Sequence, residues 1–322
     1  MMKPAVFVTR AIPEPALEKL AAACEVDLWT EELPPPYETL IERARGKDGV
    51  LCMLTDRIDA HFMDSAQTLR VISQMAVGYD NIDISAARER GIAIGNTPGV
   101  LTDATADTAF ALLLACARRL PEGAQYIRDG RWKTWHPTVL LGRDLAGAVL
   151  GIVGFGRIGQ AVAKRGRGFD MRILAYSPSL TAEAAAEHGV ERADLDRLLA
   201  ESDFISIHTP LNAQTRHLIN RETLAKMKPT AILINTARGG VVDQSALYEA
   251  LTNGVIGAAG LDVTDPEPLP AEDPLLALPN ALIVPHIGSA TIGTRTKMAL
   301  MAVDNLIAGV SGQPLPTAVY QP

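Results

Sequence analysis

Cysteine, aromatic side chains and clustered positive charge are all scarce in this chain, and each scarcity closes off a class of protein. Three cysteines, Cys24, Cys52 and Cys116, are spread along 322 residues. They stand too far apart for a spaced metal motif or a disulfide framework and read as small apolar fillers in a reducing compartment. Thirty Lys and Arg against 37 Asp and Glu leave a net charge of −7 with no basic block. A phosphate-backbone binder needs the opposite, so nucleic acid is not an expected partner. The longest apolar runs, such as residues 109–117, fall well short of the ~20 residues that cross a bilayer. Behind Lys3 the apolar stretch is interrupted by Arg10 and Glu14, too early for the core of an export signal. No membrane association is expected, and a cytoplasmic location is. Hydrophobic residues at 48% and charged residues at 21% are the balance of a globular protein, and the length suits two domains.

The first hundred residues alternate short β-rich runs (5–9, 49–53, 70–74 and 92–95) with helical stretches, the pattern of βαβ units and a parallel sheet. A long Ala- and Leu-rich helix follows over residues 104–119, with Thr102 or Asp103 available as its cap and two arginines at its negative pole. A second alternating series runs from residues 148–153 to 281–284, and a last helical pattern over 292–308 closes near Gly309. Residues 122–145 have weak periodicity and hold Trp132 and Trp135. Buried anchoring and an interface role are both open for these rings.

The strongest local signal is the apolar run Val149-Leu150-Gly151-Ile152-Val153 passing into Gly154-x-Gly156-x-x-Gly159 and then an amphipathic helix. Gly154 permits a tight turn, Gly156 lets backbone approach a pyrophosphate, and Gly159 lets helix and strand pack closely. Unpaired N–H groups at the helix start then favour the anion. The next strand ends where an acidic residue binds the adenosine ribose in NAD-selective proteins, yet Ser177 stands there, 18 residues after Gly159. Serine neither grips both ribose hydroxyls nor repels a 2′-phosphate, although no Arg follows at once to hold one. NADP(H) is the expected cofactor, with NAD(H) left open.

Three polar residues lie just past apolar runs: Arg238 in Asn235-Thr236-Ala237-Arg238-Gly239-Gly240, Glu267 in Asp265-Pro266-Glu267-Pro268, and His286 in Val284-Pro285-His286-Ile287-Gly288. In open α/β sheets such positions face the ligand crevice. Together with Ala76-Val77-Gly78-Tyr79-Asp80-Asn81, Thr97-Pro98-Gly99, and Gly260-Leu261-Asp262, they carry a resemblance over nearly the whole chain to the D-isomer-specific 2-hydroxyacid dehydrogenases. Gly130-Arg131-Trp132-Lys133-Thr134-Trp135-His136-Pro137 and His286-Ile287-Gly288-Ser289-Ala290-Thr291 resemble the branch that reduces glyoxylate and hydroxypyruvate.

That resemblance implies an NAD(P)H-dependent reduction of small 2-ketoacids to 2-hydroxyacids, glycolate and D-glycerate. His286 is implied as general acid, Glu267 as the carboxylate that orients it and favours its protonated form, and Arg238 as the fork that holds the substrate carboxylate and polarises its carbonyl. For the cofactor it implies Gly154, Gly156, Arg157, Ile158 and Gly159 at the pyrophosphate and Ser177 at the adenosine ribose. Pro210 and Thr215 are implied along its length. Thr102, Thr236, Ala237, Arg238, Asp262, His286 and Gly288 are implied around the nicotinamide end, with Asp262 as partner of its amide. For the substrate it implies the N–H groups of Val77 and Gly78, Leu54 lining the pocket, Ser289 beside it, and Trp135 reaching in from the partner subunit of a homodimer. No metal is implied.

The implied architecture is α/β: two Rossmann-like domains with parallel sheets and an interdomain active-site cleft. Residues 1–98 plus 292–322 form the substrate-binding domain and residues 99–291 the dinucleotide-binding domain, with hinges near 97–101 and 289–291. Two competing readings are another member of the same superfamily, of D-lactate or phosphoglycerate type, and a dinucleotide-sensing corepressor-like binding protein.

Overall fold

A computed structural model describes residues 3–322. The chain divides into two compact units, one formed by Met1–Leu101 with Ala290–Pro322 and the other by Thr102–Ser289. In chain order the strands are β1 (Ala5–Val8), β2 (Glu25–Leu28), β3 (Gly49–Cys52), β4 (Val71–Gln74), β5 (Ala93–Gly95), β6 (Val149–Val153), β7 (Arg172–Tyr176), β8 (Glu191–Arg192), β9 (Phe204–Ile207), β10 (Ile232–Asn235), β11 (Ala258–Leu261), β12 (Ala281–Ile283) and β13 (Ala318–Tyr320).

The first unit holds a sheet in the order β13-β5-β4-β3-β1-β2, parallel except where β13 joins β5 antiparallel. The second holds the order β12-β11-β10-β9-β6-β7-β8, parallel throughout its described pairings. Both are α/β sheets of Rossmann type. Strands β3, β4, β9 and β10 are buried along their whole length, which is why they read as mostly apolar runs without an exposed polar face. Side-chain oxygens of Asp59, Asp83, Asp194, Asp243 and Thr291 cap the helices that follow them, accepting N–H groups that would otherwise lack partners. Among the described residues no helix is long and apolar enough to cross a membrane.

Three local differences from the sequence pattern have physical causes. Gly309 does not end the last helix, which runs Ile292–Val310. A Cβ there would meet the Val71 side chain at 2.5 Å, so the glycine is what lets this helix lie against β4. Thr102 is the first residue of the Thr102–Ala117 helix, not its cap, a displacement within the usual fraying of helix ends. The weakly periodic segment contains a helix, Leu120–Arg128, none of whose residues is buried. Nor are its tryptophans anchored in a core. Trp132 is 63% exposed and Trp135 79%, flanked by exposed Leu120, Ile127, Val139 and Leu141. The buried-anchor reading therefore fails for this chain by itself.

Candidate active site

The second unit builds its site at the C-terminal ends of β6, β9, β10, β11 and β12. At the end of β6, Gly154 has φ +95°, and a Cβ on it would lie 2.6 Å from the His208 carbonyl. Glycine thus lets the turn after β6 close against the turn after β9, where the His208 N–H donates to Val153 at 2.7 Å. A Cβ on Gly159 would overlap the Gly154 carbonyl, the close strand–helix approach expected of that position. Gly156 differs: nothing lies within 4 Å of its missing Cβ, and no side chain caps the Arg157–Gly168 helix that starts behind it. Open space over an uncapped helix start fits a dinucleotide pyrophosphate. Arg157 begins that helix, while Ile158 packs against the core of the unit.

Beside this turn, the Gly154 N–H donates to Tyr176, the last residue of β7, at 2.8 Å, which sets Ser177 next to the glycines. Pro210 and Thr215 form one closed turn, Thr215 Oγ1 donating to the Pro210 carbonyl at 2.6 Å. Thr236 is buried, and its Oγ1 has no hydrogen-bond partner among the described residues, an orphaned hydroxyl that suits contact with a ligand group. These features together match the chemistry of a nicotinamide dinucleotide.

Arg238, Glu267 and His286 come from three successive strand ends. Asn235 shapes the first loop. Its Oδ1 accepts from the Ala237 N–H at 3.0 Å, and its Nδ2 donates to the Arg238 carbonyl at 2.9 Å. The loop then lies flat on its neighbour: a Cβ on Gly239 would overlap the Thr264 carbonyl. That approach carries Arg238 alongside the loop that bears Glu267. Glu267 reaches His286 directly, Oε1 to Nδ1 at 2.5 Å. A carboxylate on Nδ1 fixes the orientation of the ring and leaves Nε2 with no hydrogen-bond partner among the described residues.

Asp262 holds the third loop. Its carboxylate accepts from Ile287 N–H at 2.6 Å and Gly288 N–H at 2.8 Å, and its carbonyl from His286 N–H at 2.9 Å. Burial pushes the Asp262 carboxyl above the usual range, and those two N–H bonds oppose the rise. The residue read as a cofactor partner is first of all a loop clamp. His286 itself sits at φ +52°, an uncommon conformation for a side chain with a Cβ and one found at functional sites. Thr105 stands 3.5 Å from the missing Cβ of Gly288, so Thr102, one turn earlier, lies at the same end of its helix. Ser289 is buried and ends the unit.

Leu54, Val77 and Gly78 belong to the first unit. They follow the neighbouring strands β3 and β4, and Asn81 joins their loops, its Nδ2 donating to the carbonyls of Met53 (3.0 Å) and Asp56 (2.8 Å). Gln74 braces Asn81 in turn, Nε2 to Oδ1 at 2.7 Å.

Residues 110–288 match the family model described as the D-isomer specific 2-hydroxyacid dehydrogenase, NAD binding domain. This chain belongs to the D-isomer-specific 2-hydroxyacid dehydrogenases. It is 53% identical over 321 residues to a glyoxylate reductase of Korarchaeum cryptofilum, covering 99% of this chain and 97% of that one. A protein of Thermus thermophilus of solved structure superposes with a TM-score of 0.91 at 51% identity, covering 98% of this chain and 100% of that one. The NADPH-dependent glyoxylate/hydroxypyruvate reductase of Sinorhizobium meliloti, solved with NADP and malonate, gives 0.87 at 34% identity over 98% and 97% of the two chains.

His208 belongs to no motif legible in the sequence. It is half-buried at the end of β9, its Nε2 lies 2.8 Å from Ser206 Oγ, and desolvation pushes its pKa down to about 3. The folded protein binds no proton there between pH 3 and the ordinary 6.5, whereas the unfolded chain does. Stability therefore falls as pH drops below 6.5, by up to ~1.4 kcal/mol per pH unit from this group. His208→Gln should flatten that acid slope in urea unfolding measured between about pH 7 and about pH 4.5; an unchanged slope contradicts the assignment. Gly239→Ala should displace the Arg238 loop and lower kcat/KM for ketoacid by about 100-fold or more, with dinucleotide binding by fluorescence titration largely kept. Near-normal kcat/KM would show that the contact with Thr264 is dispensable.

Proposed function

We propose that this chain reduces small 2-ketoacids, glyoxylate and hydroxypyruvate, to glycolate and D-glycerate with a nicotinamide dinucleotide. The observation that carries the reading is the 2.5 Å Glu267–His286 pair beside the Arg238 loop, in a chain half identical to glyoxylate reductases over nearly its full length.

When bound, the reduced nicotinamide supplies a hydride to the carbonyl carbon. His286 gives the proton from Nε2 to the carbonyl oxygen, so the two additions together make the hydroxyl. Glu267 holds the imidazole by Nδ1 and so fixes the direction in which Nε2 points. Arg238 grips the carboxylate and draws charge from the carbonyl, a task for a planar two-pronged donor. Val77 and Gly78 offer backbone N–H groups to the same carboxylate, with Leu54 and Ser289 beside the substrate. Residues 1–98 with 292–322 serve as the substrate domain, and 99–291 as the dinucleotide domain. Thr102, Thr236, Ala237, Asp262 and Gly288 surround the nicotinamide end, and Asp262 keeps lone pairs for its amide beyond the two it commits to Ile287 and Gly288.

Ser177 supports a preference for NADP(H), since nothing at that position repels a 2′-phosphate. The run of exposed apolar side chains from Leu120 to Leu141 supports a homodimer in which a second copy covers them, and through which Trp135 reaches the partner's pocket.

His286→Gln should lower kcat for glyoxylate reduction by about 10³-fold while leaving the NADPH dissociation constant unchanged; near-wild-type turnover would remove His286 from the acid role. Ser177→Asp should move the ratio of kcat/KM with NADPH to that with NADH towards NADH by about tenfold or more. A ratio that stays put contradicts the ribose assignment.

A further inference from the structure

In the loop after β4, successive carbonyls are each held by a donor. The Ala76 carbonyl accepts from the Thr97 N–H at 2.9 Å, and the Val77 carbonyl from Asn96 Nδ2 at 2.8 Å. Thus two adjacent peptide groups turn their oxygens towards two adjacent residues, Asn96 and Thr97. In a trans peptide the C=O and the N–H point in opposite directions. The N–H groups of Val77 and Gly78 therefore both face away from Asn96 and Thr97, and neither has an acceptor among the described residues. Two neighbouring N–H groups on one side of a bend make an anion cradle. Gln74 Nε2 holds the next carbonyl, Gly78, at 3.2 Å.

Asn96 is itself fixed from behind. Its carbonyl accepts from Asn305 Nδ2 at 3.0 Å and Thr317 Oγ1 at 2.6 Å, and its N–H donates to the Thr317 carbonyl at 3.2 Å. Gly95 permits this, since a Cβ there would lie 2.7 Å from the Asn305 side chain. With its backbone bound on both sides and its side chain buried, Asn96 has one amide donor directed at the Val77 carbonyl. The Val77–Gly78 peptide has little else to fix its rotation, because glycine on its far side imposes no steric preference.

We propose that Asn96 is a positioning residue for the substrate: by holding the Val77 carbonyl it aims the Gly78 N–H at the substrate carboxylate. The inference rests on the reading that Val77 and Gly78 bind that carboxylate. Carboxylate binding is shared by ground state and transition state, so its loss raises KM more than it lowers kcat.

Asn96→Asp keeps the shape but removes the donor, and Asn96→Ala removes it without burying a charge. Either variant should raise KM for glyoxylate and weaken competitive inhibition by oxamate by the same factor, about tenfold, with kcat within about threefold and the NADPH dissociation constant unchanged. If the Asp variant does not fold, the Ala variant decides. An unchanged KM and oxamate inhibition, or a fall in kcat at constant KM as a merely structural loss would give, overturns the proposal while wild-type turnover keeps the functional reading intact. A wild-type protein inert towards every 2-ketoacid overturns both.

Discussion

The buried carboxylate of Asp262 is the constraint on which the chemistry of the second unit depends. It stands at the end of one parallel strand and takes two N–H groups from the loop after the next, at 2.6 and 2.8 Å. With those bonds made, His286 is held in a left-handed conformation that an unsupported chain would seldom adopt. From that conformation its Nδ1 meets Glu267, which leaves Nε2 for the acid role proposed above. An apolar residue in place of Asp262 would leave the Ile287 and Gly288 N–H groups without their acceptor, at a cost of about 1–3 kcal/mol for the buried one at Gly288, and would release the imidazole from its orientation.

The same device recurs wherever a loop must be accurate. Asn235 ties its own loop by both ends of its amide, Asn81 joins the loops after β3 and β4, and Asn96 holds the peptide next to Gly78. In each case a parallel sheet delivers strand ends to one edge, and a buried amide or carboxylate converts a loose return loop into a fixed one. Glycine makes the approach possible: Gly154, Gly159 and Gly239 each stand where a Cβ would overlap a carbonyl group. Rigid support of this kind is what allows a small substrate, with few atoms to grip, to be held in a reactive geometry.

Much of this was legible in the sequence because it is written locally. Buried strands of four or five apolar residues, the glycine pattern after residues 149–153, and polar residues just past strand ends are short-range signals, and Arg238, Glu267 and His286 were found that way. The clamps were not legible. Asn96 acts on a carbonyl 19 residues away and is fixed by Asn305, 209 residues away; no periodicity marks an amide whose partner is so remote. β2 is only partly buried and β13 is a three-residue edge, so neither shows a buried run. The helix over Leu120–Arg128 buries nothing within this chain, and its apolar residues gave no core face to read. Gly309 looked like a helix terminator because composition cannot distinguish a stop from a close packing contact.

Everything proposed for this chain requires that the strand-end constellation of Arg238, Glu267 and His286 reduce small 2-ketoacids. Initial rates for glyoxylate, hydroxypyruvate and pyruvate, each with NADPH and with NADH, test it most directly. The expected result is rapid turnover of glyoxylate and hydroxypyruvate, slow turnover of pyruvate, and faster reaction with NADPH. Tight binding of either dinucleotide with no turnover of any of the three acids would contradict it.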